Sequence, residues 1–256
     1  MGKEWKSYVL NSGFLIGVVM MLISLLCCSI PLWMQALTEP VPELRPNALV
    51  LSLQAVFFGG VILLFPFSVC LPAAAARQNI GVLHDDQKGW ARYGLQKIGA
   101  CALAGGAVAA LPFALHAIVW NLIAIPASPE LYETHQIHFY GVYEDWYRVF
   151  HALPMYVSFT LGMMICGGVF AVMYLAFSVW ILDRVVSLIL PAAIYFLWLK
   201  LGLLIPDPAF PKPADLFNDA LTKQGIAYSL IVYALLLMFS ACAYLVGLKR
   251  EVQIHA

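Results

Sequence analysis

The sequence predicts an all-α, polytopic membrane protein with six transmembrane helices, on three observations. The first is composition. Of 256 residues, 62% are hydrophobic and 11% charged, and the mean hydropathy is +0.85. These values exclude both an ordinary soluble domain and a disordered chain. The second is run length, since a spanning helix needs about 20 mostly apolar residues. Six runs meet it, roughly 13–36, 48–72, 99–126, 151–181, 185–205 and 225–247. The third is where the charges fall between those runs.

Lys3, Lys6, Arg77, Lys88, Arg92, Lys97, Arg184, Lys249 and Arg250 collect on one side, and only Arg45, Arg148, Lys212 and Lys223 on the other. Basic residues in short loops mark the cytoplasmic face, so both termini and segment 73–98 are placed inside. The net charge of zero therefore conceals a dipolar protein, because Glu39, Glu43, Glu130, Glu133, Glu144, Asp145, Asp207, Asp215 and Asp219 all lie outside. The loops are short, so the whole of 1–256 is expected to form a single transmembrane domain. The first run is too long for a signal-peptide core and is read as the first span.

Along the chain, Trp5 and Tyr8 beside Lys3 and Lys6 suit an interfacial anchor leading into span one. Gly13 and Gly17 form a small-xxx-small pair that permits close helix contact. Pro66 and Pro72 are expected to kink span two or end it near the inner face. Span three is rich in Ala and Gly around Pro112, which gives it a smooth face for neighbours. A tight inner turn joins spans four and five, and Pro191 lies inside span five. Outside, 206–213 holds four prolines in eight residues. From Ala214 the pattern turns amphipathic and predicts a short interfacial helix before span six.

No P-loop, H-E-x-x-H, G-x-S-x-G or dinucleotide fingerprint occurs, so no catalytic residue, metal site or cofactor is assigned to this chain. His135 and His138 lack further ligands in a recognisable spacing and read as loop residues. His116 and Asn121, inside span three, form a possible intramembrane polar site, because polar groups at that depth often have a function. A histidine bonded to a neighbouring helix is the structural alternative. Lys200 is placed to snorkel to the interface. All six cysteines fall inside predicted spans without C-x-x-C spacing and read as packing residues. No Asp or Glu lies deep in a span, whereas an ion-coupled transporter usually needs one there.

The remaining feature is the polar stretch PAAAARQNIGVLHDDQKGWARYGLQK at 72–97, which carries four of the fourteen basic residues. Asp85 or Asp86 can cap a helix over Gln87–Lys97. Trp90, Tyr93 and Lys97 then share one face, while Gly89 and Gly94 each weaken the isolated helix by about 1 kcal/mol. Such a helix is ordered when docked to a protein; the alternative is a solvated loop that only enforces topology.

The runs VILLFPFSVCLPAAAARQNIG and RYGLQKIGACALAGGAVAALPFAL resemble the membrane subunits of type-2 ATP-binding-cassette (ABC) exporters of Gram-positive bacteria. Those subunits show a P-x-small end to span two, then an inner helix ending R-Y-x-x-x-K, then a Gly/Ala-rich span three. Arg92, Tyr93 and Lys97 stand at those places here. The later order is also similar, with YVSFTLGMMICGGVFAVMYLAFSVWI, a tight turn and VVSLILPAAIYFLW. The likeness extends over nearly the whole chain. It implies that the inner helix is a coupling helix seated in a cleft of a cytosolic ATPase, with Asp85, Asp86, Trp90, Arg92, Tyr93 and Lys97 as coupling residues. It further implies a re-entrant segment at 206–224, from which the run of prolines departs, and an assembly of two membrane subunits, identical or paralogous, with two ATPases that bind ATP and Mg. The expected function is export or expulsion of a peptide or other amphipathic compound from a bacterial plasma membrane, with no nucleic-acid partner. A membrane enzyme or sensor working through His116 and the outer aromatic loop at 127–150, and a non-transporting scaffold subunit, are the alternatives.

Overall fold

The structure is a computed structural model that describes residues 2–38, 60–76, 89–123, 153–205 and 223–254. Every regular element among these residues is a helix: α1 (Gly2–Val9), α2 (Ser12–Thr38), α3 (Gly60–Ala76), α4 (Trp90–Ile123), α5 (Leu153–Trp180), α6 (Arg184–Leu204) and α7 (Lys223–Ile254). An apolar segment in hydrocarbon has to satisfy its own backbone, and a helix does so within the segment. Each of α2–α7 overlaps one of the six predicted apolar runs. Four of them are long and apolar enough to cross a bilayer, over Trp90–His116, Phe159–Trp180, Arg184–Gly202 and Ala227–Gln253. Ser12–Cys27 and Leu64–Ala76 add shorter apolar stretches. The chain is thus read as a multi-pass, all-helical membrane protein. The expected helix from Ala214, the His135/His138 pair and the Pro-rich segment lie outside the described residues.

The N-terminal segment breaks at Leu10–Asn11 instead of running straight into the first span. Asn11 causes the break. Its Oδ1 accepts from the Phe14 N–H at 2.8 Å and caps α2, while its Nδ2 donates to the carbonyls of Ser7 and of Pro72, both at 2.9 Å. One side chain ties α1, α2 and the end of α3 together. The α1 helix folds onto α4 and α3, with Tyr8 buried and Lys6 exposed.

Helix α3 contains both Pro66 and Pro72 and continues to Ala76, so neither proline ends it. Pro72 has no N–H to offer the Ser68 carbonyl one turn earlier. That carbonyl faces Gly17 of α2 so closely that a methyl group there would stand 2.6 Å from its oxygen. The Gly13–Gly17 pair therefore meets α3 where a proline has freed a backbone acceptor. A glycine allows the two backbones to approach, with Cα–H···O contact as the compensation.

The central contact is between α4 and α5. A methyl on Gly167 would lie 2.6 Å from the Gly105 carbonyl oxygen, and one on Gly106 would lie 2.7 Å from that of Met164. Two GG pairs, one per helix, thus bring the backbones together over more than a turn. The other sides of α5 hold α3, α6 and α7. Its spanning window is 78% buried, against 28% for α6 and 22% for α7. The bundle is organised around α5, with α6 and α7 at the periphery.

Side chains complete the core. Phe65, Phe170 and Tyr195, from α3, α5 and α6, pack with ring centroids 5.3–6.2 Å apart in edge or tilted arrangements. Cys70 of α3 and Cys101 of α4 donate to the carbonyls of Phe170 and Ala171 of α5 at 3.5 and 3.2 Å. The three-residue turn 181–183 leads into α6, whose Asp183 carboxylate accepts from the N–H groups of Val185 and Val186.

Candidate functional site

At one end of the bundle, α1, the end of α3, the start of α4, the α5–α6 turn and the end of α7 lie together. Asn11 bonds the Pro72 carbonyl. Gly94 of α4 is buried against Leu245 and Leu248 of α7, and a methyl there would stand 3.2 Å from Leu248 Cδ2. Trp180 of α5 donates through Nε1 to the Ala243 carbonyl of α7 at 3.0 Å. These are the ends that charge counting assigns to a common side.

The start of α4 is the candidate site. The expected inner helix and the third span are one continuous 34-residue helix, Trp90–Ile123, about 50 Å long at 1.5 Å per residue. Nothing in QKIGACA breaks it, since the lone glycine at 99 costs only about 1 kcal/mol, well short of the roughly 3 kcal/mol of a proline, and no proline intervenes. Asp85 and Asp86, the expected caps, lie outside the described residues.

Continuity fixes which way the site residues face. The buried stripe Ala104, Cys101 and Lys97 runs back at helical spacing from the seam with α5 to the polar start of the helix. Lys97 is therefore only 3% exposed, and its Nζ lies over the Tyr93 ring, 5.0 Å from the centroid. A cation against an aromatic face gains about 0.5–2 kcal/mol, most where both are desolvated. Tyr93 and Trp90 are half-buried, while Ala91, Arg92 and Leu95 are exposed. The surface open to a partner is thus Arg92 and Leu95 with the edge of Trp90, turned away from the expected Trp90–Tyr93–Lys97 face. Leu95, a residue that sequence reasoning missed, is 59% exposed. Tracing the small-residue stripe backwards from Ala104 is the signal that finds it.

His116 lies toward the other end of α4 and is 3% exposed. It follows Phe113 by three residues, and that ring meets Phe159 of α5 edge-on at 6.4 Å. The backbone of Asn121 continues the same helix, but its side chain lies outside the described residues. His116 and the α4 start are on one helix about 40 Å apart by helical rise, so they are separate places. Among the described residues, no three His, Cys, Asp or Glu side chains cluster to hold a metal ion.

Comparison of the chain with protein-family models, curated proteins and solved structures finds no match.

Proposed function

We propose that this chain is the permease subunit of an ABC exporter, with six spans and both termini in the cytoplasm of a Gram-positive bacterium. A separate cytosolic ATPase drives it, a second membrane subunit completes the path, and the cargo is a peptide or other amphipathic compound. The observation that carries the reading is the start of α4. An exposed Arg92 and Leu95 and a half-exposed Trp90 stand on a helix whose opposite face is wedged against α7 and continues directly into the glycine seam with α5.

A push applied there reaches the centre of the bundle without passing through a flexible joint. ATP-driven closure of the partner dimer acts on 85–97, and the spans formed by α2, α3 and α6 rearrange to open a path outward. The chain itself supplies no coupling carboxylate within a span, which favours an external source of energy over ion-coupled transport.

The test is association with ABC-type ATPases of the same organism, by pull-down and by stimulation of their activity in nanodiscs. Trp90→Ala is expected to cost at least about 2 kcal/mol of association, the scale of an aromatic anchor. Arg92→Glu weakens binding to an acidic cleft, by a margin that salt reduces. If both variants bind and couple like wild type, the start of α4 is no docking element and the proposal fails.

A further inference from the structure

The α5–α6 turn and the end of α7 hold three cations that the proposed ATPase contact does not use. Trp180 closes α5. Its indole lies in a notch of α7 made by Ala243, Gly247 and Arg250, spaced i, i+4 and i+7 on one helix face. Nε1 is held by the Ala243 carbonyl at 3.0 Å, and a methyl on Gly247 would stand 3.0 Å from the same nitrogen. The Arg250 guanidinium covers the ring, 5.7 Å from it. Trp180 is nonetheless 46% exposed.

Arg250, Lys249 and Arg184 are all exposed, and among the described residues none of them has a carboxylate partner. The nearest acid in the turn, Asp183, spends its carboxylate on the N–H groups of Val185 and Val186. Apolar surface adjoins the cations directly, with Leu182 88%, Val185 64% and Val246 58% exposed. A tryptophan fixed against α7, exposed cations beside it and bare aliphatic surface next to them in the chain are the features of a membrane interface. The ligand that complements all three carries an anionic head and hydrocarbon chains.

We infer that this end of the bundle binds an anionic phospholipid, whose phosphate is met by Arg250 and Lys249 of α7, with Arg184 on the α5–α6 turn adding to the positive surface, and whose acyl chains lie on the exposed aliphatic side chains beside them. The assignment rests on reading the α5–α6 turn as a membrane-surface element, and it is independent of the ATPase. Trp180 fixes the Arg250 cation in place, so the headgroup meets an ordered charge.

The experiment uses the full chain in phosphatidylcholine nanodiscs doped with spin-labelled phosphatidylglycerol or spin-labelled phosphatidylcholine. Electron paramagnetic resonance reads the immobilised fraction. Wild type should immobilise the anionic lipid in preference, and the preference should fall as salt rises. Arg250→Gln with Lys249→Gln should reduce it by about fivefold per charge removed, the effect of one basic residue near an anionic surface. Lys200→Gln, which removes an exposed cation from the far part of α6, should leave it unchanged. Equal immobilisation of the two lipids by wild type overturns the inference, as does a preference that survives the double variant. Displacement by soluble glycerol phosphate would also overturn it, by assigning the cations to a free anion. Failure of ATPase pull-down leaves this readout untouched, so the two proposals fail separately.

Discussion

Cys166 and Tyr233 show how far a residue's role can be read in isolation. Cysteines inside spans are correctly expected to be buried packing groups at 70, 101 and 166, while Cys27 and Cys242 lie exposed on the apolar surface. What the sequence lacks is their partners. Cys166 Sγ meets Tyr233 Oη at 3.0 Å between α5 and α7, and the Tyr233 ring also packs against Trp198 at 5.2 Å. Tyr233→Phe keeps the ring and removes the hydrogen bond. It should cost about 0.6 kcal/mol, the average for an interhelical bond in a membrane protein, measured by reversible unfolding in mixed micelles. A loss several times larger would mean that the hydroxyl holds more than this thiol. Lys97 makes the opposite point. Its charge marks it as a surface residue in the sequence, yet the stripe it belongs to turns it inward. Lys97→Met keeps a stem of similar length but removes the cation from the Tyr93 ring, so it should cost about 0.5–2 kcal/mol of stability and, because Lys97 is only 3% exposed, leave ATPase association unchanged. Loss of association with an intact fold would restore Lys97 to the docking face.

At the level of elements, the six apolar runs were legible because hydrocarbon imposes one local solution on the backbone, the helix. Their contacts were legible only where small residues mark them. The Gly/Ala-rich face of α4 is predicted from composition, and Gly105 and Gly106 do lie in the close contact with α5. Two features were hidden. The break at Asn11 depends on the Pro72 carbonyl, 61 residues away in sequence. The passage of α3 through Pro66 and Pro72 depends on neighbours that accommodate freed carbonyls, as Gly17 does for Ser68. Gly167→Val puts side-chain atoms where the Gly105 backbone already is. Because that obstacle is backbone, the helices must separate, and the variant should lose about 1–3 kcal/mol by the same unfolding assay. Gly99→Ala is the control. A methyl there has nothing within 4 Å, and exchanging Gly for Ala in a helix interior gains about 1 kcal/mol of helix propensity. Equal stability of Gly167→Val and wild type would mean that α4 and α5 are not packed through this seam.

For the whole molecule, burial and charge describe two different axes. Burial falls from α5 outward to α6 and α7, and that order comes from tertiary packing that no single run of sequence encodes. Charge is read along the other axis, from the composition of the loops. The basic residues assigned to the cytoplasmic side include Lys6, Arg92, Arg184, Lys249 and Arg250, which sit on helix ends that meet at one end of the bundle. If that end faces the cytoplasm, single cysteines introduced at Gln87 and Gln253 should resist a membrane-impermeant maleimide in intact cells, and one at Gln136 should react. After permeabilisation all three should label. The unsubstituted chain is the labelling control for the six native cysteines; among the described residues those exposed, Cys27 and Cys242, lie on apolar helices where a charged reagent does not enter. Labelling at Gln87 from outside would invert the protein, and with it the ATPase would lose access to the start of α4. Labelling at Gln253 alone would leave α4 correctly placed but put an odd number of crossings between them. Only protection at both positions keeps the coupling surface and the end of α7 on the side where ATP is hydrolysed.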